Sequence, residues 1–318
     1  MIQLALLCTL FVFCTKCTFF TICTVNYTFA FSYLIDVQDP FATLPPSEWS
    51  NKRDELIEDY PLTLDEIHNL VLRSYNKLLK TRIGEPSDDI LIYEDVPVGA
   101  QTTGAFLETI IANEIQKIDS AWRQGSDAEK DLAHTENPEY STEIKMSGQV
   151  NDKVFGNRSF AQDSGSDGKK SKSGFYITSN VHISEEILPP SYNLFLIRFG
   201  WIDFDDWTGQ SAATGQAATL PSEVYKHKLR VVDGEYLLNA PLELVYMIGP
   251  STIEDIRPFL IQYDISTVGE FLVAYDAVED PDSDLEKVYR KVKQYPRNTL
   301  TMERDDLEVE ALTTDTDS

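Results

Sequence analysis

The hydrophobic period of this chain changes from helical to twofold and back, and that succession sets the class of fold. From Leu64 the apolar positions Leu64, Ile67, Val71, Tyr75 and Leu78 follow the spacing of one helical face. Thr63-Leu64-Asp65-Glu66 reads as a capping box that opens this helix, and a Gly/Pro/Asp loop from Gly84 to Asp89 closes it. A second helix is expected from about Thr103 to Ile118, with Leu107, Ile110, Ile111, Ile115 and Ile118 as its core stripe. The period then becomes twofold. Asp131–Thr135 and Tyr140–Ser147 read as strands joined at Glu136-Asn137-Pro138, and so as a hairpin; further strands follow at Gly174–Asn180 and Asn193–Gly200. Ser251–Glu254 has the form of another capping box, and Leu285–Tyr295 is an amphipathic helix. Helices, then strands, then helices imply an α/β protein, a mixed β-sheet flanked by helices, with one domain over residues 62–298.

The flanks differ in composition. Residues 1–37 form an apolar leader holding all four cysteines, with Lys16 as its single base. Three readings fit it: a start placed too far upstream, a membrane anchor, or a signal peptide whose charge and cleavage site are atypical. The cysteines match no zinc spacing. The body beyond them contains no cysteine, as suits a cytoplasmic protein with no stable membrane partner. Residues 38–61 read as a polar linker or irregular arm, and 299–318 as an acidic disordered tail.

Charge narrows the function. The chain carries 52 acids against 27 bases, a formal charge of −25, which excludes a protein built to coat nucleic acid non-specifically. The excess fits either plain solubility or life in molar salt, where self-repulsion is screened. Residues 145–172 run the other way, with six bases against three acids. A locally basic site is therefore compatible with an acidic periphery.

Within the hairpin, Ser141-Thr142-Glu143-Ile144-Lys145-Met146 carries the chemistry. Alternation turns Ile144 to the core and projects Glu143 and Lys145 together from the other face. Asp131 lies on the partner strand, and Glu108 on the preceding helix can orient water or the lysine. Asp131 and Glu143 are hard oxygen ligands suited to Mg²⁺, and Lys145 can hold or deprotonate water and offset negative charge. Taken alone, an acid-x-Lys triplet is more often a solvated strand face; the upstream acids and the basic Gly/Ser segment Ser164–Ser173 favour phosphodiester hydrolysis. The histidines His68, His134, His182 and His227 show no metal spacing and read as structural, and Trp201 and Trp207 as core anchors. The small residues between Asp206 and Thr219 allow close backbone approach, either to a helix or to a ligand.

The blocks Gly104-Ala105-Phe106-Leu107-Glu108, Lys130-Asp131-Leu132-Ala133-His134 and Tyr140–Lys145, in that order, resemble the PD-(D/E)xK nuclease superfamily. With Phe155–Ser159, Lys170–Tyr176, Ile197–Asp203 and Asp206–Gln210 they resemble the ScaI family of type II restriction endonucleases, over roughly residues 60–235. The resemblance implies a type II site-specific deoxyribonuclease that cuts double-stranded DNA at a short palindrome with Mg²⁺, as a homodimer, beside a cognate DNA methyltransferase. It assigns catalytic roles to Asp131, Glu143 and Lys145, and less directly to Glu108. Lys130 stands where the motif has proline. By chemistry, Arg158, Ser159, Lys169, Lys170, Lys172, Lys226, Lys228 and Arg230 suit phosphate, while Asn157, Gln210 and Gln216 suit adenine and Arg158 alternatively guanine. Two other readings stand beside this one. One is a repair or recombination nuclease of the same superfamily; the other is a membrane-anchored acidic protein that binds a cationic partner without catalysis.

Overall fold

The alternation between Leu132 and Ile202 builds four strands of a six-stranded sheet. A computed structural model describes residues 39–85, 90–148, 153–157, 172–184, 191–209, 217–232, 235–242 and 248–300, which all belong to one compact unit. In chain order the elements are α1 (Trp49–Glu58), α2 (Leu64–Leu79), β1 (Arg82–Ile83), β2 (Ile90–Leu91), α3 (Ile92–Asp95), α4 (Ala100–Gln116), β3 (Trp122–Gln124), β4 (Leu132–His134) and β5 (Thr142–Ser147). There follow β6 (Phe155–Asn157), β7 (Gly174–Ser184), β8 (Ser191–Ile202), β9 (Thr208–Gly209), β10 (Ala217–Thr219), α5 (Ser222–His227), β11 (Leu229–Val231), α6 (Pro250–Gln262), α7 (Val268–Asp276) and α8 (Ser283–Leu300).

The large sheet has the order β11-β8-β7-β5-β4-β3. β5 and β7 are parallel, Glu143 opposite Tyr176 and Lys145 opposite Thr178; the other pairs are antiparallel. One face buries Ile144, Ile177 and Phe199, which join Leu107 and Ile111 of α4 in the main core. On the other face Tyr176 packs with Val154, Ile202, Trp207, Ala218, Val224 and Leu229, beneath a three-stranded sheet of order β6-β10-β9. The central strand β7 is therefore closed to water on both faces, as sheets covered on both sides are. α2 begins at the expected capping box, with the Thr63 hydroxyl accepting from Glu66 N–H and the Glu66 carboxylate accepting from Thr63 N–H. It buries Ile67, Val71, Tyr75 and Leu78, and packs on α4.

Several expectations change. The segment read as an irregular arm contains α1, and its Tyr60 enters the main core against Phe175 and Phe199 while donating or accepting a hydrogen bond with the Thr142 hydroxyl at 2.7 Å. α1 lacks a clean apolar stripe because polar side chains hold part of its inner face: Arg53 is buried, and Ser50 is hydrogen-bonded to His227 Nδ1. α4 ends at Gln116, which leaves Ile118 exposed instead of in the core stripe. Ser251 lies inside α6; Gly249 is its N-cap with no side-chain bond, and Pro250 supplies the rigid first position. The small residues after Asp206 build strands β9 and β10, with Gly209 opposite Ala218, in place of helix packing. The leader, the tail and the basic segment 158–171 lie outside the described residues.

Candidate active site

β5 carries two of the chemical groups and β4 delivers the third. Asp131 immediately precedes β4, and its Oδ2 accepts from the Ile144 N–H at 2.9 Å, which ties the carboxylate to the backbone of the neighbouring strand. Gly125 makes this possible, because its N–H donates to the Asp131 carbonyl and a Cβ there would lie 1.8 Å from the Lys130 carbonyl oxygen. Lys145 Nζ then donates to Glu143 Oε1 at 2.5 Å, to the Ile144 carbonyl at 2.9 Å and to Asp131 Oδ2 at 3.4 Å. One cationic nitrogen is thus ringed by three oxygens from the two strands.

Electrostatics keep that nitrogen charged. Burial alone would push the Lys145 pKa down, but the charges of Glu143 and Asp131, the hydrogen bond to Glu143 and the charge of Glu108 raise it above its ordinary value. Glu108, half-buried on α4, and Asp131 line a cavity of about 270 Å³ with Gln124, Gly125, Ser126, Asp127 and Glu129. Of these, Glu129 is held well down, to about 2, chiefly by its pair with Arg123. The cavity is therefore an acidic recess opening beside the Asp131 carboxylate.

All four groups expected to do chemistry, Asp131, Glu143, Lys145 and Glu108, come together here. Among the described residues no cluster of three or more His, Cys, Asp or Glu side chains forms a ready-made metal cage. The available donors are two carboxylates and a carbonyl, all hard oxygen, and the Lys145 ammonium already sits among them as a cation would. Such an arrangement is net negative and suited to attract a hard cation.

The residues expected at DNA are distributed differently. Asn157 is exposed at the end of β6, Lys226 is half-exposed on α5, and Lys172 lies with its ammonium 5.5 Å from the Phe204 ring. Arg230 donates to Asp54 at 3.2 Å. Lys228 is a correction: it is 2% exposed, donates to Asp203 and Asp206 at 2.8–2.9 Å, and lies over the rings of Phe41 and Trp49. A buried ammonium bound to two carboxylates is a structural ion pair, so it is removed from the phosphate contacts. Arg158, Ser159, Lys169, Lys170, Gln210 and Gln216 lie outside the described residues.

A polar network on the same face of the sheet was missed from sequence. Arg198 lies in the cross-strand row of Lys145 and Thr178, donates to Asn180 at 3.3 Å and stacks its guanidinium 5.1 Å from the Tyr225 ring. Asn180 and Tyr225 in turn bind the backbone of Lys153 and Val154, at the start of β6. The signal was present as Thr178, Asn180 and Arg198, polar residues at strand positions that share a face with Lys145. Of the histidines, His134 Nδ1 accepts from Asn137 N–H, His68 packs against Tyr236 and His227 Nδ1 is hydrogen-bonded to Ser50.

The model of the ScaI restriction endonuclease family matches residues 39–233. Over 194 residues the chain is 30% identical to the type II restriction enzyme ScaI of Streptomyces caespitosus, a stretch covering 61% of this chain and 84% of that enzyme. No solved structure matches. The matched span runs from residue 39 through α4, β4, β5 and the small sheet to just past β11, leaving α6–α8 outside. With that span holding every group of the site, the chain belongs to the ScaI family of restriction endonucleases.

Proposed function

We propose that this chain is a Mg²⁺-dependent type II restriction endonuclease with a PD-(D/E)xK core, which cuts both strands of DNA at a short palindrome as a homodimer. The observation that carries this reading is the convergence of Asp131, Glu143 and Lys145 on one point beside an acidic recess. Asp131, Glu143 and the Ile144 carbonyl would hold the ion. When bound, Mg²⁺ would polarise the scissile phosphate and acidify a nearby water.

The protein's own groups do the rest. Asp131 is held on β5 by the Ile144 N–H, so its oxygen is positioned before DNA arrives. Lys145 enters as an ammonium, and its Nζ donates to the phosphoryl oxygens as negative charge grows on them. Glu108, across the recess, accepts a hydrogen bond from the attacking water and sets its line of approach. A twofold dimer would present two such sites to the two strands of a palindrome. Unmodified copies of that palindrome in the host require protection, so a cognate methyltransferase is expected with it.

The test is digestion of several plasmids of known sequence by the full chain with Mg²⁺, beside Lys145→Ala and an EDTA control. Discrete bands that disappear in both controls support the reading, and the fragment sizes give the site. Nicking only at branches or ends would move it to a repair nuclease. Intact plasmids after incubation with folded protein, at low and at molar KCl, would overturn it.

A further inference from the structure

Asp131 is anchored from one side by β5. Its neighbour in the chain reaches the opposite way. Lys130 is 8% exposed, and its Nζ donates to the Ser173 carbonyl at 2.8 Å, 43 residues away in sequence. The ammonium also lies 5.7 Å from the Tyr176 ring and 5.9 Å from the Trp201 ring, within the reach of cation–π attraction. This space exists only because residue 174 is glycine: a Cβ there would lie 1.7 Å from Lys130 Nζ, and Gly174 has φ +139°, a conformation L side chains rarely adopt.

The segment that Lys130 grips is held on further sides. The Phe204 N–H donates to Ser173 Oγ at 2.9 Å, and the Tyr176 hydroxyl donates to the Lys172 carbonyl at 2.6 Å. Lys172–Gly174 is therefore a fixed joint at the mouth of β7. Through Lys130 that joint is tied to the residue before the catalytic aspartate. Consecutive side chains pull apart: Lys130 is fastened to the mouth of β7 and Asp131 to the middle of β5. A peptide restrained at both side chains has little freedom to rotate, and the Asp131 carboxylate inherits that restraint.

We infer that Lys130 is a positioning residue for Asp131, its ammonium locking the catalytic aspartate to the Ser173 carbonyl at the start of β7. The inference rests on the nuclease reading above. Because Lys130 bonds the backbone of the joint and not the reacting atoms, its loss should slow cleavage far more than it weakens DNA binding. Partners that orient such ligands are worth about 10- to 100-fold in activity.

The experiment compares the full-length wild type with Lys130→Met, which keeps the aliphatic stem against the rings and removes the ammonium. Single-turnover cleavage in Mg²⁺ is measured on a duplex carrying the site mapped by plasmid digestion, and affinity for the same duplex is measured in Ca²⁺. The expected result is a cleavage rate about 10- to 100-fold lower with DNA affinity changed less than about threefold, and partial recovery in Lys130→Arg. A wild-type rate in Lys130→Met overturns the inference. So does a parallel loss of rate, affinity and thermal midpoint, which marks Lys130 as merely structural. Should the Met variant fail to fold, Lys130→Gln takes its place, since its shorter neutral amide cannot span to Ser173; a wild-type rate there overturns it equally. If the wild type itself cuts no duplex, the nuclease reading fails instead, and the two failures are distinct.

Discussion

A lysine says nothing in sequence about what it will touch, and two lysines of this chain show why. Lys145 was legible because a strand alternates its side chains, so Glu143 and Lys145 had to share a face opposite Ile144. Lys228 was not, because its partners Asp203 and Asp206 lie 25 and 22 residues earlier and meet it only once β8 and β11 pair. Its neighbour Asp203 sets a testable pH dependence. Burial, with a hydrogen bond to Asp39, outweighs the attraction of Lys228 and raises the Asp203 pKa from the usual carboxylate value to about 7. A carboxyl that holds its proton more tightly folded than unfolded contributes stability fully below about pH 4, and loses it as the pH climbs to 7. Across that window Asp203 alone should lower stability by about 1 kcal/mol per pH unit. Urea midpoints of wild type and Asp203→Asn at pH 5 and pH 7.5 check this: the wild type should lose more between the two than the variant does. A steeper loss in the variant would contradict the assignment.

At the scale of elements, what is local was legible and what is long-range was not. α2 follows from four adjacent residues and a stripe, because a capping box is completed within one turn. Thr63→Ala removes the side-chain half of that box and should cost about 1 kcal/mol, read as a lower urea midpoint with an unchanged slope. The same four-residue pattern misled at Ser251, where Pro250 already starts the helix one residue earlier. α1 escaped notice since Arg53 and Ser50 occupy buried positions that an apolar stripe would mark. β3 is three residues long, too short for alternation to register, and the parallel pairing of β5 with β7 leaves no trace in either strand alone. The site survives these misreadings because Glu143 and Lys145 share β5, whose alternation is local, and Asp131 is brought to it by the pairing of β4 with β5.

Over the whole molecule the unusual quantity is a charge of −25 on a member of a DNA-cleaving family. An ordinary basic DNA-binding protein loses affinity steeply as salt rises, through release of condensed counterions. Here bulk repulsion between protein and duplex adds a term of opposite sign, and salt screens it. Cleavage by the full chain should therefore be sustained or increased between low and molar KCl; initial rates on one plasmid across a KCl series decide it, and a monotonic fall would show that local contacts dominate. Among the described residues no helix is long and apolar enough to cross a membrane.

The parallel step from β5 to β7 has an evolutionary corollary. An antiparallel hairpin welds two strands through a turn whose length dictates their alignment, but a parallel return needs a long bridge, here residues 148–173. Lengthening such a bridge costs little, since closure entropy grows only with the logarithm of its length. β5 can stay in register with β7 while the sequence that connects them changes in length. Under the proposed function, sequence change in the bridge and the geometry of Asp131, Glu143 and Lys145 are therefore separable, because the alignment of β5 with β7 does not depend on the bridge's length.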